Sequence, residues 1–200
     1  MARVCSCLGV VLGALALACS TSSSRNVLVV VRDGSNPEKM VPQELVVMID
    51  TLKAAGFHPV VASLSGRALV SQTAKVKSDL RFADVKISDY VAVVVPCMAA
   101  PEELGSAPDE AVKIVKDAAA AGKPIAAQRS GLFILSKAGL LKGRQYAYRL
   151  VAPFPEGIHS QDPVVRDGDV ITAAICPNAA SEARPDTTVP LIKKLIEALG

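Results

Sequence analysis

The chain is poor in aromatic residues: it has no Trp, and aromatic residues make up only 4% of its 200 residues. Half of the residues are nonetheless hydrophobic, so the core must be built mainly from Val, Ala, Leu and Ile. This composition is typical of a parallel sheet covered by helices. The length suits one compact α/β domain with a sizeable core.

The chain also lacks a concentration of charge of one sign. Its formal net charge is only +3, and its Lys and Arg residues are scattered along the sequence. A nucleic-acid-binding surface needs a basic face, usually with aromatic residues among the basic ones, and the sequence has neither. The sequence therefore predicts no nucleic-acid partner.

The N-terminal segment has an apolar run over residues 4–18, which is shorter than the roughly 20 residues needed for a stable bilayer-spanning helix. The run predicts a signal peptide over residues 1–18. Cys19 then becomes a lipid-bearing N-terminus at the start of a Ser/Thr-rich tether, residues 19–25. We therefore expect a lipoprotein on the cell envelope, held to the membrane by its N-terminal lipid and facing the periplasm or the exterior. The alternatives are a soluble periplasmic or secreted protein and an uncleaved anchor.

From residue 26 onward, short β-branched runs alternate with helical patterns, and Gly56 and Gly122 mark two helix ends. Asp167-Gly168 lies between two short apolar runs and predicts a hairpin. The pattern predicts an open, mostly parallel sheet with helices on both faces. The predicted strands are 26–31, 59–64, 90–96 and 123–128, with a hairpin over 164–174, and the predicted helices are 40–55, 106–122, 130–139 and 189–199.

Four segments, taken together, resemble the ThiJ/PfpI superfamily, whose members are relatives of class I glutamine amidotransferase domains. They read "AAGFHPVVAS", "YVAVVVP…APEEL", "GKPIAAQRSGLFILSKAGLLKGR" and "VVRDGDVITA". The resemblance covers essentially all of residues 26–200 and is greatest to the PfpI-like branch, which includes proteases, deglycase-like proteins and stress chaperones. It implies a flavodoxin-like, amidotransferase-like three-layer α/β sandwich.

The resemblance also implies where the family's active site falls in this chain, and that site is degenerate. The family's strand–turn–helix elbow carries a nucleophilic Cys followed by His, and these positions are Arg129 and Ser130 here. The two glycines that face the oxyanion fall on Cys97 and Met98, and the family's Glu falls on Glu38. Thiol chemistry of the family type is therefore impossible at this elbow, and no catalytic residue is assigned.

Two interpretations of Arg129 remain open. In the first, Arg129 forms an ion pair with Glu38 and plugs the vestigial pocket. In the second, Arg129 faces an open pocket and binds a small anionic ligand, helped by Ser130 and by the start of the helix at Gly131.

Ser130 and the cysteines also have alternatives. Ser130 is either the cap of the helix that starts at Gly131 or a replacement nucleophile paired with His159. Cys97 and Cys176 are the two cysteines of the domain, and the resemblance places both near the elbow. The two cysteines are either buried free thiols, or a disulfide, or part of a reactive thiol or metal site. One His and two Cys make a poor set of metal ligands, so we predict no metal and no cofactor.

The function predicted from the sequence is that of a catalytically degenerate ThiJ/PfpI-like domain on the bacterial cell envelope, which binds or scaffolds. The alternatives are a hydrolase or deglycase-like enzyme that uses Cys97 or Ser130, and a stress-related chaperone. The resemblance also implies a homo-oligomer.

Overall fold

A computed structural model describes residues 25–33, 37–97, 107–148 and 153–200. The predicted signal peptide, Cys19 and Met98 lie outside the described residues. Eleven strands lie within those ranges. They are β1 (Asn26–Val31), β2 (His58–Ser63), β3 (Leu69–Val70), β4 (Lys75–Val76), β5 (Leu80–Arg81), β6 (Ala92–Val95), β7 (Ile125–Gln128), β8 (Gln145–Ala147), β9 (Ile158–Ser160), β10 (Val164–Asp167) and β11 (Val170–Ala173).

Seven of these strands form one central sheet in the order β10-β11-β7-β6-β1-β2-β5. All neighbouring pairs in it are parallel except β10 and β11, which form the predicted hairpin. The predicted fold, a mostly parallel α/β sandwich, is confirmed. Strands β3 and β4 form a separate hairpin, and β8 pairs with β9.

The helices cover both faces of the sheet. They are α1 (Pro37–Met40), α2 (Val46–Ala54), α3 (Asp109–Ala120), α4 (Leu132–Lys137) and α5 (Thr188–Leu199). A π turn, Val41–Leu45, joins α1 to α2, and 3₁₀ turns lie at Phe82–Asp84, Ile87–Asp89 and Arg129–Gly131. Within the described ranges, no helix is long and apolar enough to cross a membrane.

The core is divided by the sheet into two layers, because side chains along a strand alternate between its faces. In β1, Val27 and Val29 belong to one layer and Leu28 and Val30 to the other. The first layer is completed by apolar residues of α2 and α5, and the second by those of α3 and α4. Both layers are aliphatic at their centre, as the composition predicts.

The order of the strands creates a topological switch point between β1 and β6. The chain runs from β1 outward to β2 and β5, then returns to β6 on the other side of β1 and continues outward through β7 and β11. In open α/β sheets, sites form at the carboxyl ends of the strands next to such a point. The residues that follow β1, β6, β7 and β11 are therefore the ones that meet there.

Candidate functional site

The elbow after β7 has a strained backbone at Arg129, the position that the resemblance assigns to the family's nucleophile. Arg129 has φ of 41°, and it is the only non-glycine residue with positive φ in the part of the chain that the structure describes. The left-handed region costs an L-residue roughly 1–2 kcal/mol. Gly131 lets the turn lie against β6, because a Cβ at this position would be 2.5 Å from the Val95 carbonyl oxygen. The elbow is thus preserved as architecture.

The side chain of Arg129 reaches the cysteine that follows β11. Its Nη1 lies 3.7 Å from the Sγ of Cys176. Arg129 is half-buried, and burial alone would lower its pKa, but the hydrogen bond and charge of Cys176 outweigh burial and raise the pKa. The guanidinium therefore stays cationic and favours a negative charge on Cys176.

Cys97, which follows β6, faces the same sulfur. Both cysteines are buried and free, and the interaction between their side chains shifts the pKa of each. The interaction with Cys97 is the main cause that lowers the pKa of Cys176 to about 7, with Arg129 adding to the shift, while burial and the charge of Glu44 oppose it. The same interaction and burial raise the pKa of Cys97 well above its ordinary value. Within the pair, Cys176 is therefore the thiol that ionises, and Cys97 keeps its proton.

The backbone of Cys97 is held by a buried polar cluster. Its amide N–H donates to Oε1 of Glu44 at 2.8 Å. Its carbonyl accepts hydrogen bonds from Nη2 of Arg32 and from the hydroxyl of Ser130. Arg32 Nη2 also donates to Ser130 Oγ at 2.6 Å, and Ser130 Oγ lies 3.1 Å from Cys97 Sγ. Because its N–H is bonded to Glu44, Cys97 has no amide proton left for an oxyanion.

The structure corrects the assignment of the site's acid. Glu38 is exposed, and its Oε2 accepts a hydrogen bond from the backbone N–H of Gln72 at 3.0 Å. The predicted Arg129–Glu38 ion pair is therefore wrong, since the two side chains have other partners. Glu44 instead enters the site, carried inward by the π turn. The sequence held a signal for it: Glu44 lies three residues after Val41 and four before Met48, so it shares their buried helix face.

The two predicted roles of Ser130 are also corrected. No side-chain hydrogen bond caps the turn or helix α4, because the hydroxyl of Ser130 points to Cys97. His159 does not pair with Ser130, since its Nε2 lies 3.1 Å from the carbonyl oxygen of Tyr148. Arg32 is a further residue of the site, and the sequence analysis did not assign it there. It comes directly after β1, at the carboxyl end of a central strand.

The disulfide between Cys97 and Cys176 stays a prediction, because the structure describes the pair in its reduced form. The part of the chain that is described contains no group of three or more His, Cys, Asp or Glu residues arranged to hold a metal ion.

A cavity of about 420 Å³ lies near the elbow, although residues 128–131, Cys97 and Cys176 are not part of its lining. Its wall includes Ile175, next to Cys176, and Tyr148, whose pKa is raised by burial although the nearby charge of Arg129 lowers it. Asp186 also lines the cavity and accepts a hydrogen bond from the Gln128 side chain, 3.3 Å away. The remaining wall is mostly apolar, apart from Gln161, Arg184 and Thr187. The cavity can hold a small molecule with an apolar body.

The mostly parallel sheet covered by helices defines this molecule as an α/β domain of the flavodoxin-like type, and comparison with known proteins identifies its family. The model of the DJ-1/PfpI family matches residues 25–183. The chain therefore belongs to the DJ-1/PfpI family.

Individual relatives agree with the family assignment. A protein of Archaeoglobus fulgidus is 35% identical over 137 residues, which are 65% of this chain and 80% of that protein. The deglycase PfpI of Pyrococcus furiosus is 34% identical over 103 residues, 51% of this chain and 61% of that protein. Among solved structures, a ThiJ/PfpI domain protein from Brachyspira murdochii superimposes with a TM-score of 0.72 at 17% identity, covering 88% of this chain and 96% of that chain.

Proposed function

We propose that this protein is a binding member of the DJ-1/PfpI family that has lost the thiol chemistry of the elbow. One observation carries the proposal: the elbow position holds Arg129, whose guanidinium contacts the thiol of Cys176, while both nearby thiols are buried. Cys97, at the position that the resemblance assigns to an oxyanion glycine, has its N–H bonded to Glu44. A substrate therefore meets neither an accessible thiolate nor a free oxyanion donor at these residues.

The cavity beside the elbow is the proposed ligand site. Its apolar wall suits the body of a small molecule, and Arg184 in its lining supplies a cation for an anionic group. We expect short-chain carboxylates to raise the thermal midpoint of unfolding more than the matching alcohols do. The Arg184→Gln variant should lose that difference, whereas Arg166→Gln, on exposed β10, is the matched control. Equal stabilisation by acid and alcohol would show that the anionic group is not recognised.

The loss of family chemistry is tested against the activity of the relatives named deglycases. The purified protein, incubated with a glycated peptide, should release no more adduct than the Cys97→Ser/Cys176→Ser double variant. A turnover that disappears on Cys176→Ser alone would overturn the proposal and establish the enzyme alternative with a displaced nucleophile. The double variant Arg129→Cys/Ser130→His restores the Cys and His of the family at the elbow. Release of adduct by this variant would show that the rest of the site still supports the family's chemistry.

We place the domain on the bacterial cell envelope, tethered through a lipid on Cys19. The support is the signal-peptide pattern of residues 1–18 and the polar tether that follows. Metabolic labelling with a radioactive fatty acid should mark the wild-type protein in the membrane fraction and leave Cys19→Ser unlabelled. Labelling that persists in Cys19→Ser would exclude this anchor. A homo-oligomer is proposed from family resemblance, and light scattering on the purified protein measures it.

A further inference from the structure

We propose that Cys176 and Cys97 form a redox-active dithiol in which Cys176 attacks a small hydroperoxide and Cys97 closes the product to an intramolecular disulfide. This activity goes beyond the proposed binding function. It does not use the cavity, and its nucleophile is Cys176 rather than a residue of the elbow, so a failure of either proposal leaves the other standing.

The topology brings the two sulfurs together. Cys97 follows β6 and Cys176 follows β11, on either side of β7 in the sheet. Cys176 Sγ lies 3.7 Å from Nη1 of Arg129, Cys97 Sγ lies 3.1 Å from Oγ of the next residue, Ser130, and both thiols are free. Two thiols held against adjacent residues of one turn are close enough for a local movement to bring them to bonding distance.

The surroundings give the two sulfurs different roles. Arg129 lies 3.7 Å from Cys176 Sγ and is the cation nearest to it among the described contacts. The interaction with Cys97 is the main cause that lowers the pKa of Cys176 to about 7, and Arg129 adds to it. Cys97 instead has the hydroxyl of Ser130 at 3.1 Å and retains its proton. The thiolate is the nucleophile in thiol chemistry, so Cys176 attacks and Cys97 resolves.

The burial of the pair selects the oxidant. Cys97 is 1% and Cys176 0% exposed, whereas Arg129, which contacts Cys176, is partly exposed. A bulky disulfide cannot reach the sulfur without opening the site, but hydrogen peroxide is little larger than water. We therefore assign the reaction to hydrogen peroxide or another small hydroperoxide.

The reaction balances in two steps. The Cys176 thiolate attacks one peroxide oxygen, the O–O bond breaks, and Cys176 becomes a sulfenic acid while hydroxide leaves and takes up a proton as water. The thiol of Cys97 then loses its proton and attacks the Cys176 sulfur. The S–O bond breaks, a second water leaves, and the disulfide forms. The two sulfurs together lose two electrons, and the peroxide gains them.

Peptide mapping of the purified protein tests the proposal, because trypsin separates these cysteines from Cys5, Cys7 and Cys19. Cleavage places Cys97 in peptide 87–113 and Cys176 in peptide 167–193. After treatment with hydrogen peroxide at neutral pH, we expect the two peptides to be joined and dithiothreitol to release them. If both cysteines are still alkylated after peroxide treatment and denaturation, the proposal is wrong.

Three variants test the assigned roles. Cys97→Ser should accumulate a Cys176 sulfenic acid that dimedone traps, whereas Cys176→Ser should leave Cys97 unlabelled. Arg129→Gln should slow the peroxide reaction roughly tenfold at neutral pH and move its midpoint to higher pH, while Arg129→Lys should retain most of the rate. Dimedone labelling of Cys97 instead of Cys176, or a pH profile unchanged in Arg129→Gln, would overturn the assignment.

Discussion

At the scale of single residues, the site depends on which of two acids enters it. Glu38 is exposed and bonded to a backbone amide on the surface, while Glu44 is fully buried and accepts the N–H of Cys97. Both acids lie in the same helical segment, six positions apart in the chain. Only the direction in which each side chain points distinguishes them.

We expect Glu44→Leu to destabilise the domain by about 1–3 kcal/mol, since it leaves the buried N–H of Cys97 without its acceptor. Glu44→Gln keeps an acceptor oxygen and should cost less. Urea unfolding measures both. Glu38→Gln is the matched control, and as an exposed change it should lie within about 0.5 kcal/mol of the wild type. Equal losses at the two positions would refute the placement of Glu44.

The thiolate of Cys176 predicts a pH dependence of stability. Its folded pKa of about 7 lies below the ordinary value, so folding favours the ionised form and the stabilisation is present above the unfolded pKa. As pH falls from about 8.5 toward about 7 and below, this stabilisation, of the order of 2 kcal/mol, is lost. The difference in unfolding free energy between the reduced wild type and Cys176→Ser should therefore increase from pH 6 to about pH 8.5. A difference independent of pH would show that the thiol is neutral.

At the scale of elements, the elbow between β7 and α4 requires contact with β6. Gly131 lies where a Cβ would be 2.5 Å from the Val95 carbonyl oxygen and 3.1 Å from that of Pro96. Backbone oxygens cannot turn aside as a flexible side chain does, so the elbow itself must move if this glycine is replaced. Such a displacement moves Arg129 away from Cys176.

Gly131→Ala should therefore destabilise the domain by about 2–3 kcal/mol. Gly122→Ala is the control: Gly122 has φ of 64° and open space around its Cβ position, so its replacement should cost only the backbone strain of about 1 kcal/mol. Urea unfolding of both variants measures the two costs. A larger loss for Gly122→Ala would contradict the steric argument.

The π turn before α2 is the other element that shapes the site. It lies between α1 and α2 and carries Val41, Glu44 and Leu45 into buried positions. The apolar periodicity predicted one continuous helix over this region, and the boundaries of 40–55 and the helix end at Gly56 are close to those observed. The extra residue of the π turn is not visible in that periodicity, because the pattern specifies a buried face and not the hydrogen-bond spacing along it.

At the scale of the whole molecule, oxidation of the dithiol joins the ends of a long loop. A bond between Cys97 and Cys176 closes about 80 residues, which in the chain-entropy model destabilises the unfolded state by about 4 kcal/mol. Oxidation also removes the contact between Arg129 and the Cys176 thiolate, and this loss reduces the stabilisation that loop closure gives. We expect the peroxide-treated protein to unfold at higher urea concentration than the dithiothreitol-reduced protein. Cys97→Ser should show no such difference, and an oxidised wild type that is no more stable would contradict the predicted closure.

The sequence by itself determined the family and the fold. Strand runs, helix ends at Gly56 and Gly122 and the Asp167-Gly168 hairpin are local signals, set by backbone preferences and by periodicity within one element. They needed no knowledge of distant contacts. The prediction that Arg129 and Ser130 replace the family's Cys and His likewise used the chain alone.

The tertiary structure decided which side chains meet. Arg129, Cys97 and Cys176 come from the ends of three different strands, and their contacts depend on strand order, on the strained φ of the elbow and on the direction of each side chain. The resemblance placed Glu38 beside the elbow, and an ion pair between Glu38 and Arg129 was one of the two interpretations that the sequence left open. In the folded molecule Arg129 contacts a thiol instead, because packing places Cys176 within its reach and leaves Glu38 at the surface.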